Sequence, residues 1–198
     1  AGNLLVVGCG GYRNGNAEVL SVADTGSNTY TRETYGQTAE SPGRSNYGLF
    51  RTTVTTGGAL TITCTADAAL YWAVMVEEYS GVHATPSDGT PAQATGNSTS
   101  AASGNVTTTQ SDGLVVGLVG TSDPSSTCTL TATGSWALQR SYKDGNAVTC
   151  LGLMDQVGVA AGAYSATATV YNGQWIAFVA GYKAAAGGGA RRRQPVIQ

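Results

Sequence analysis

The chain is poor in charge, with only 11% of its residues Asp, Glu, Lys or Arg. Its single histidine, His83, leaves no imidazole pair for a metal, and it would have to be the base of any nucleophile triad. Cys9, Cys64, Cys128 and Cys150 are widely spaced with no C-x-x-C, which argues against a zinc site. Cys9 and Cys64 occupy apolar strand positions, where a free thiol behaves as a small hydrophobe, and pairing of the four is left open by the sequence. No stretch holds a helical period, and no apolar run is long enough for a membrane-crossing helix or reads as a signal peptide. A basic face with interleaved aromatics is also missing, which argues against nucleic acid as a partner. Gly8-Cys9-Gly10-Gly11 lacks the lysine and the following helix of a phosphate-binding loop. The first residue is Ala1, just before a strand, so upstream processing or truncation is expected.

What is present is glycine, 28 residues of it, with abundant Thr, Ser and Ala and a patterned 41% of apolar residues. This is the composition of an all-β protein with a neutral, hydroxyl-rich surface. Its most informative stretch runs from Gly58 to Val82. Leu60, Ile62 and Cys64 alternate with threonines, as in a strand with one wet face, whereas Leu70 to Val82 is apolar on both faces and belongs in the middle of a sheet. The two read as a hairpin about the turn Asp67-Ala68-Ala69. A second hairpin is expected from Gly162–Val170 and Gln174–Tyr182 about Tyr171-Asn172-Gly173, with Trp72, Val76 and Tyr79 matched by Trp175, Val179 and Tyr182. Leu5-Val6-Val7-Gly8 is echoed by Leu114-Val115-Val116-Gly117, so the chain reads as two related halves. Each half is near the size at which a core becomes marginal, and 198 residues therefore favour one two-sheet sandwich over two domains.

Leu4 to Cys9 and Leu114 to Val119 read as buried strands, Tyr47 to Thr55 as a further strand, and 83–104 as an extended surface crossing. Asn14-Gly15, Asp24-Thr25-Gly26-Ser27-Asn28 and Lys143-Asp144-Gly145-Asn146 are turn signals, and Asp24 alone is a poor ligand set for calcium. After Lys183 the composition shifts to alanine and glycine, a flexible linker to Arg191-Arg192-Arg193-Gln194-Pro195-Val196-Ile197-Gln198. A β-sandwich domain is thus expected over 1–183 and a linker with a basic tail over 184–198. Without that tail, the first 190 residues hold seven basic against twelve acidic residues.

Gly2-Asn3-Leu4-Leu5-Val6-Val7, Val22-Ala23-Asp24-Thr25-Gly26-Ser27-Asn28-Thr29-Tyr30, Glu78-Tyr79-Ser80-Gly81, Gly96-Asn97-Ser98-Thr99, Val106-Thr107-Thr108-Thr109 and Tyr164-Ser165-Ala166-Thr167-Ala168 come in a set order. Together they resemble a jelly-roll-like β-sandwich module of bacterial secreted proteins and of the structural gene regions of tailed bacteriophages. The resemblance covers residues 2 to 183 and implies a two-sheet antiparallel β-sandwich, jelly-roll-like. Members usually carry one more strand before the position of Asn3, so here a sheet edge is expected to be open or filled by another chain. The four thiols are not part of the family pattern.

Candidates for chemistry are few. Glu77 and Glu78 are adjacent on a strand and point to opposite faces, so the two cannot flank one glycosidic bond. Nothing in the sequence brings Glu78 to Glu33, Glu40 or Asp155. Trp72 and Trp175 read as core, leaving Trp136 as the candidate for a ligand surface. Arg191, Arg192 and Arg193 suit docking on an acidic neighbour, and Pro195, Val196 and Ile197 suit strand addition at an open edge. The sequence therefore leads to a non-catalytic structural protein without cofactor, extracellular or on a virion surface. It would assemble with copies of itself or with other virion proteins, without nucleic acid or membrane. The alternative is a polysaccharide-binding module of a secreted bacterial protein.

Overall fold

Alternating and doubly apolar strands need a second layer to bury their faces, and this chain meets that need sheet against sheet. The computed structural model describes residues 2–13, 20–39, 44–67, 71–122, 127–143 and 149–193. The first sheet joins β1 (Leu4–Arg13), β3 (Thr31–Ala39), β4 (Arg44–Thr53), β6 (Tyr71–Ser80) and β16 (Arg191–Arg193), in the order β16-β6-β1-β4-β3. The second is built on β10 (Gly113–Ser122), β13 (Thr149–Val159), β12 (Ala137–Lys143) and the long β15 (Thr167–Ala184). Here β10 lies between β13 and β15, with β12 beyond β13. Beside β15 lie β7 (Val82–Ser87), β8 (Ala92–Ala102) and β11 (Thr131–Ala132). All strand pairs are antiparallel. The molecule is a two-sheet antiparallel β-sandwich.

Period two decides what fills the space between the sheets. Leu4 and Val6 of β1, Tyr47 and Leu49 of β4, and Met75 and Tyr79 of β6 meet Leu114, Val116 and Leu118 of β10 and Leu151 and Leu153 of β13. Ile176, Phe178 and Tyr182 of β15 complete that core. Tyr47 fits because glycines stand where its ring approaches, Gly10 on β1 and Gly120 on β10. A Cβ at either position would strike the ring.

The outer faces are covered as well. Val7, Cys9 and Phe50 on the first sheet lie under β2 (Ser21–Asp24) and β5 (Ile62–Thr65), a two-stranded ribbon that brings Val22, Ile62 and Cys64 onto them. On the second sheet, Val115, Val119, Met154, Trp175 and Val179 pack with Val106 of β9 (Val106–Thr108), which pairs β14 (Gly162–Tyr164). Leu130 and Trp136 complete that cover. A disulfide joins Cys128, in the covering segment, to Cys150 on β13, at a sequence separation of 22.

Neither expected hairpin forms. The strand at Ile62–Thr65 pairs with β2 and not with β6, because its single apolar face suits a cover. β6 is apolar on both faces and takes an interior place between β1 and β16. At the second site, Thr167 to Ala184 is one strand, and Tyr171-Asn172-Gly173 falls at a register shift against β8. The two halves still correspond, since β1 and β10 are both central and pair Leu4 with Tyr79 and Leu114 with Tyr182. That register matches Leu4, not Leu5, to Leu114. A one-residue slip inverts the faces, so Gly8 points inward at Leu118 while Gly117 points outward at Ala166. The turns at Asn14-Gly15 and Asp144-Gly145-Asn146 lie outside the described residues, as do Ala68 and Ala69.

Candidate docking site at the edge of the first sheet

One cluster of charged groups sits where an edge of the first sheet meets the second. The alternation of β6 turns Glu77 and Tyr79 inward and Glu78 outward, where Glu78 accepts a hydrogen bond from Asn3 Nδ2. On β13, Asp155 follows Leu151 and Leu153 on the inner face and is fully buried. The register of β12 against β13 shifts between Leu138 and Arg140. Such an irregularity re-aims side chains. Here Gln139 reaches Asp155 while its neighbour Arg140 reaches Glu77.

Asp155 is saturated with donors. Oδ2 accepts from the Tyr79 hydroxyl at 2.9 Å and from Arg192 Nε at 2.9 Å. Oδ1 accepts from Gln139 Nε2 at 3.1 Å and from Arg192 Nη2. A carboxylate offers about four lone-pair sites, and these four donors fill them. The guanidinium of Arg192 binds with both prongs, the strongest arrangement available to such a pair. Beside it, Arg140 Nε donates to Glu77 Oε1 at 2.7 Å. Burial pushes the Glu77 carboxyl above its usual range, against the pull of Arg140. Burial, and then the charge of Asp155, push the Tyr79 phenol well above its own. The hydrogen bonds to Asp155 raise Arg192 further, against the effect of burial.

At Asp155 this arrangement holds a charge. A general base needs a free lone pair in reach of a substrate, and Asp155 has none left. Tyr79 and Arg192 keep their protons across the ordinary pH range. An open groove of about 410 Å³ runs alongside, with Ser135, Gly158, Tyr164 and Arg192 among its walls. The chemistry on offer is the seating of a guanidinium on a buried carboxylate, with a strand edge next to it.

That seat is occupied by the chain's own arginines. Arg191, Arg192 and Arg193 pair with Ser80, Tyr79 and Glu78 along the edge of β6. The lead-in is tied down too, with Ala185 N–H donating to Gly81 C=O at 2.8 Å and Ala190 N–H to Asp112 C=O at 3.1 Å. Gly81 has φ +70°, and a Cβ there would meet the Gly189 carbonyl, so only glycine lets the two backbones pass. The structure thus differs from the expectation of a linker that leads the arginines away from the fold. The physical reason is the pair of demands met together, the unpaired edge of β6 and the buried charge of Asp155. Pro195, Val196 and Ile197 lie outside the described residues.

The other candidates are not brought together. Trp136 is buried at 8% exposure, with its indole N–H donating to Ser165 C=O at 2.8 Å, and so is no exposed platform. Trp175 is buried with its indole N–H donating to Ser98 Oγ at 3.0 Å, and the Trp72 side chain lies outside those described. His83 is exposed, and its Nδ1 accepts from Thr85 N–H at 3.1 Å. Glu33 pairs with Arg51, apart from the cluster, and Glu40 is not among the described residues. The Asp24 carboxylate is engaged by Asn28 and the Tyr30 hydroxyl. Among the described residues no three His, Cys, Asp or Glu side chains are placed to hold a metal ion. Sequence reasoning named Asp155 only as a carboxylate that nothing brought to Glu78 and did not foresee its pairing with Arg192, yet a signal existed, because an aspartate at the third inward position, after Leu151 and Leu153, needs a partner.

Comparison with known proteins returns no matching family model, no similar curated protein and no similar solved structure.

Proposed function

We propose that this chain is a non-catalytic structural unit that assembles with copies of itself or with the proteins of a larger particle. The surface of a bacteriophage virion, as a decoration-type component, is the specific case implied by the sequence resemblance. The observation that carries the reading is the seat at Asp155. Half of its donors come from a three-residue strand that follows a glycine-rich segment, and a neighbouring copy could supply the same strand with every contact preserved. Exchange of an identical element is a low-cost route to assembly, because it needs no surface designed for the purpose. The Cys128–Cys150 disulfide supports a place outside the reducing cytosol. The polysaccharide-binding alternative loses support, since the aromatic it rested on, Trp136, is buried.

The test is native mass by light scattering after refolding at high protein concentration, on the full chain and on a chain ending at Lys183. A dimer or polymer from the full chain and a monomer from the shortened one is the expected result. Because the shortened chain strands Asp155, the same deletion carrying Asp155→Asn guards against simple misfolding. Monomers throughout would overturn self-assembly.

A further inference from the structure

The two outer covers of the sandwich are built alike, down to their sulfur. On the second sheet, Cys150 is fully buried on the outer face of β13 and is bonded to Cys128 in the segment that lies over it. On the first sheet, Cys9 is fully buried on the outer face of β1, and Cys64 of the covering strand β5 packs into the same cluster with Val7, Leu20 and Phe50. Both are free thiols in this structure, and Cys64 is among the half-buried side chains packed against the cluster that holds Cys9. In both places one cysteine is a core position of a sheet and the other belongs to its cover.

We propose that Cys9 and Cys64 form a second disulfide, which fastens the β2–β5 ribbon to the first sheet as Cys128–Cys150 fastens the cover of the second. The ribbon has reason to need it. β2 and β5 are four residues each, pair only with one another, and alternate between exposed and half-buried positions. A two-stranded ribbon of that length is marginal by itself.

The exposures of the two thiols set the order of events. Cys64 is partly exposed, so its thiolate attacks a small-molecule disulfide such as oxidised glutathione, forming a mixed disulfide and releasing one thiolate. The Cys9 thiolate then attacks the Cys64 sulfur and expels the second. Two protein thiols thereby lose two protons and two electrons, and the small disulfide is reduced to two thiols. With Cys9 fully buried, the finished bond is shielded from attack at that sulfur.

The experiment takes the full chain equilibrated with oxidised glutathione, denatures it in the presence of an alkylating reagent, and reads intact mass and a non-reducing peptide map. No alkylated cysteine, and a linked pair of peptides carrying Cys9 and Cys64, is the expected result. Alkylation of both, with Cys128–Cys150 formed, overturns the proposal, as does any other pairing. Hydrogen exchange over 62–65 should slow at least tenfold in the oxidised protein relative to one reduced at Cys9 and Cys64 alone. Equal exchange in the two forms would overturn the clamp even if the bond exists. Cys9→Ser should leave Cys64 open to alkylation, and if that variant does not fold, the comparison of oxidised and reduced native chain still decides.

Discussion

Arg192 and Asp155 show how one side chain can decide the worth of another. Removing one partner of a buried pair leaves an uncompensated charge, at a cost of about 3–5 kcal/mol. Arg192→Gln should therefore lower stability by about that amount in urea unfolding, whereas adding Asp155→Asn should recover part of the loss. A double-mutant cycle with no coupling between the two would show that the pair contributes nothing. Asp24 and Asp88 behave differently, because backbone and hydroxyl donors surround them. Burial alone would raise each carboxyl, but Asn28 and Tyr30 at Asp24, and Thr109 and Gln110 at Asp88, hold both below the usual value. A lowered carboxyl adds stability that is complete above about pH 4 and is lost as the pH falls through its folded value. Glu33 and Glu77 are shifted upward, chiefly by burial, so their contribution runs the other way and fades as pH rises through their folded values. The urea midpoint should thus fall on acidification below about pH 4, and the fall should be smaller in a chain carrying Asp24→Asn and Asp88→Asn.

Strands and covers are the next scale, and here the sequence was legible in part. The apolar runs at Leu4–Cys9 and Leu114–Val119 became the central strands β1 and β10, and the doubly apolar stretch after Leu70 became an interior strand, because burial on both faces leaves few alternatives. Pairing was less legible. Ile62–Thr65 has the alternation of any half-buried strand, and nothing in period two says whether its partner is the next strand or β2. The site was hidden for a related reason, since Tyr79, Gln139, Asp155 and Arg192 come from four strands and meet only once the two sheets are stacked. The disulfide on the second cover closes a loop that should be worth about 3 kcal/mol, so Cys128→Ser with Cys150→Ser should lower the unfolding free energy by about that much. Tighter still is the contact of β10 with β4, where Gly120 makes room for Tyr47. Gly120→Val should destabilise by about 1–3 kcal/mol or more, and thermal melting beside Gly188→Ala, an open position without a positive φ, would measure the difference.

At the scale of the molecule, the first sheet is drawn from the early part of the chain and the second from the later part, and among the described residues only β16 crosses back. Each sheet alone would expose an apolar inner face, so the two are expected to fold only together. Chains 1–80 and 81–198, each disordered alone by circular dichroism, should regain β structure on mixing; an ordered 1–80 alone would contradict this. The return of β16 also has a consequence in time. During synthesis, at about 5–20 residues per second, β6 leaves the ribosome on the order of ten seconds before the strand that completes it. Through that interval its edge and the carboxylate of Asp155, once made, lack their partner. On a crowded polysome, the nearest arginine strand in that window can belong to the chain ahead, so a protein closed upon itself and one linked to its neighbour would differ only in which finished first.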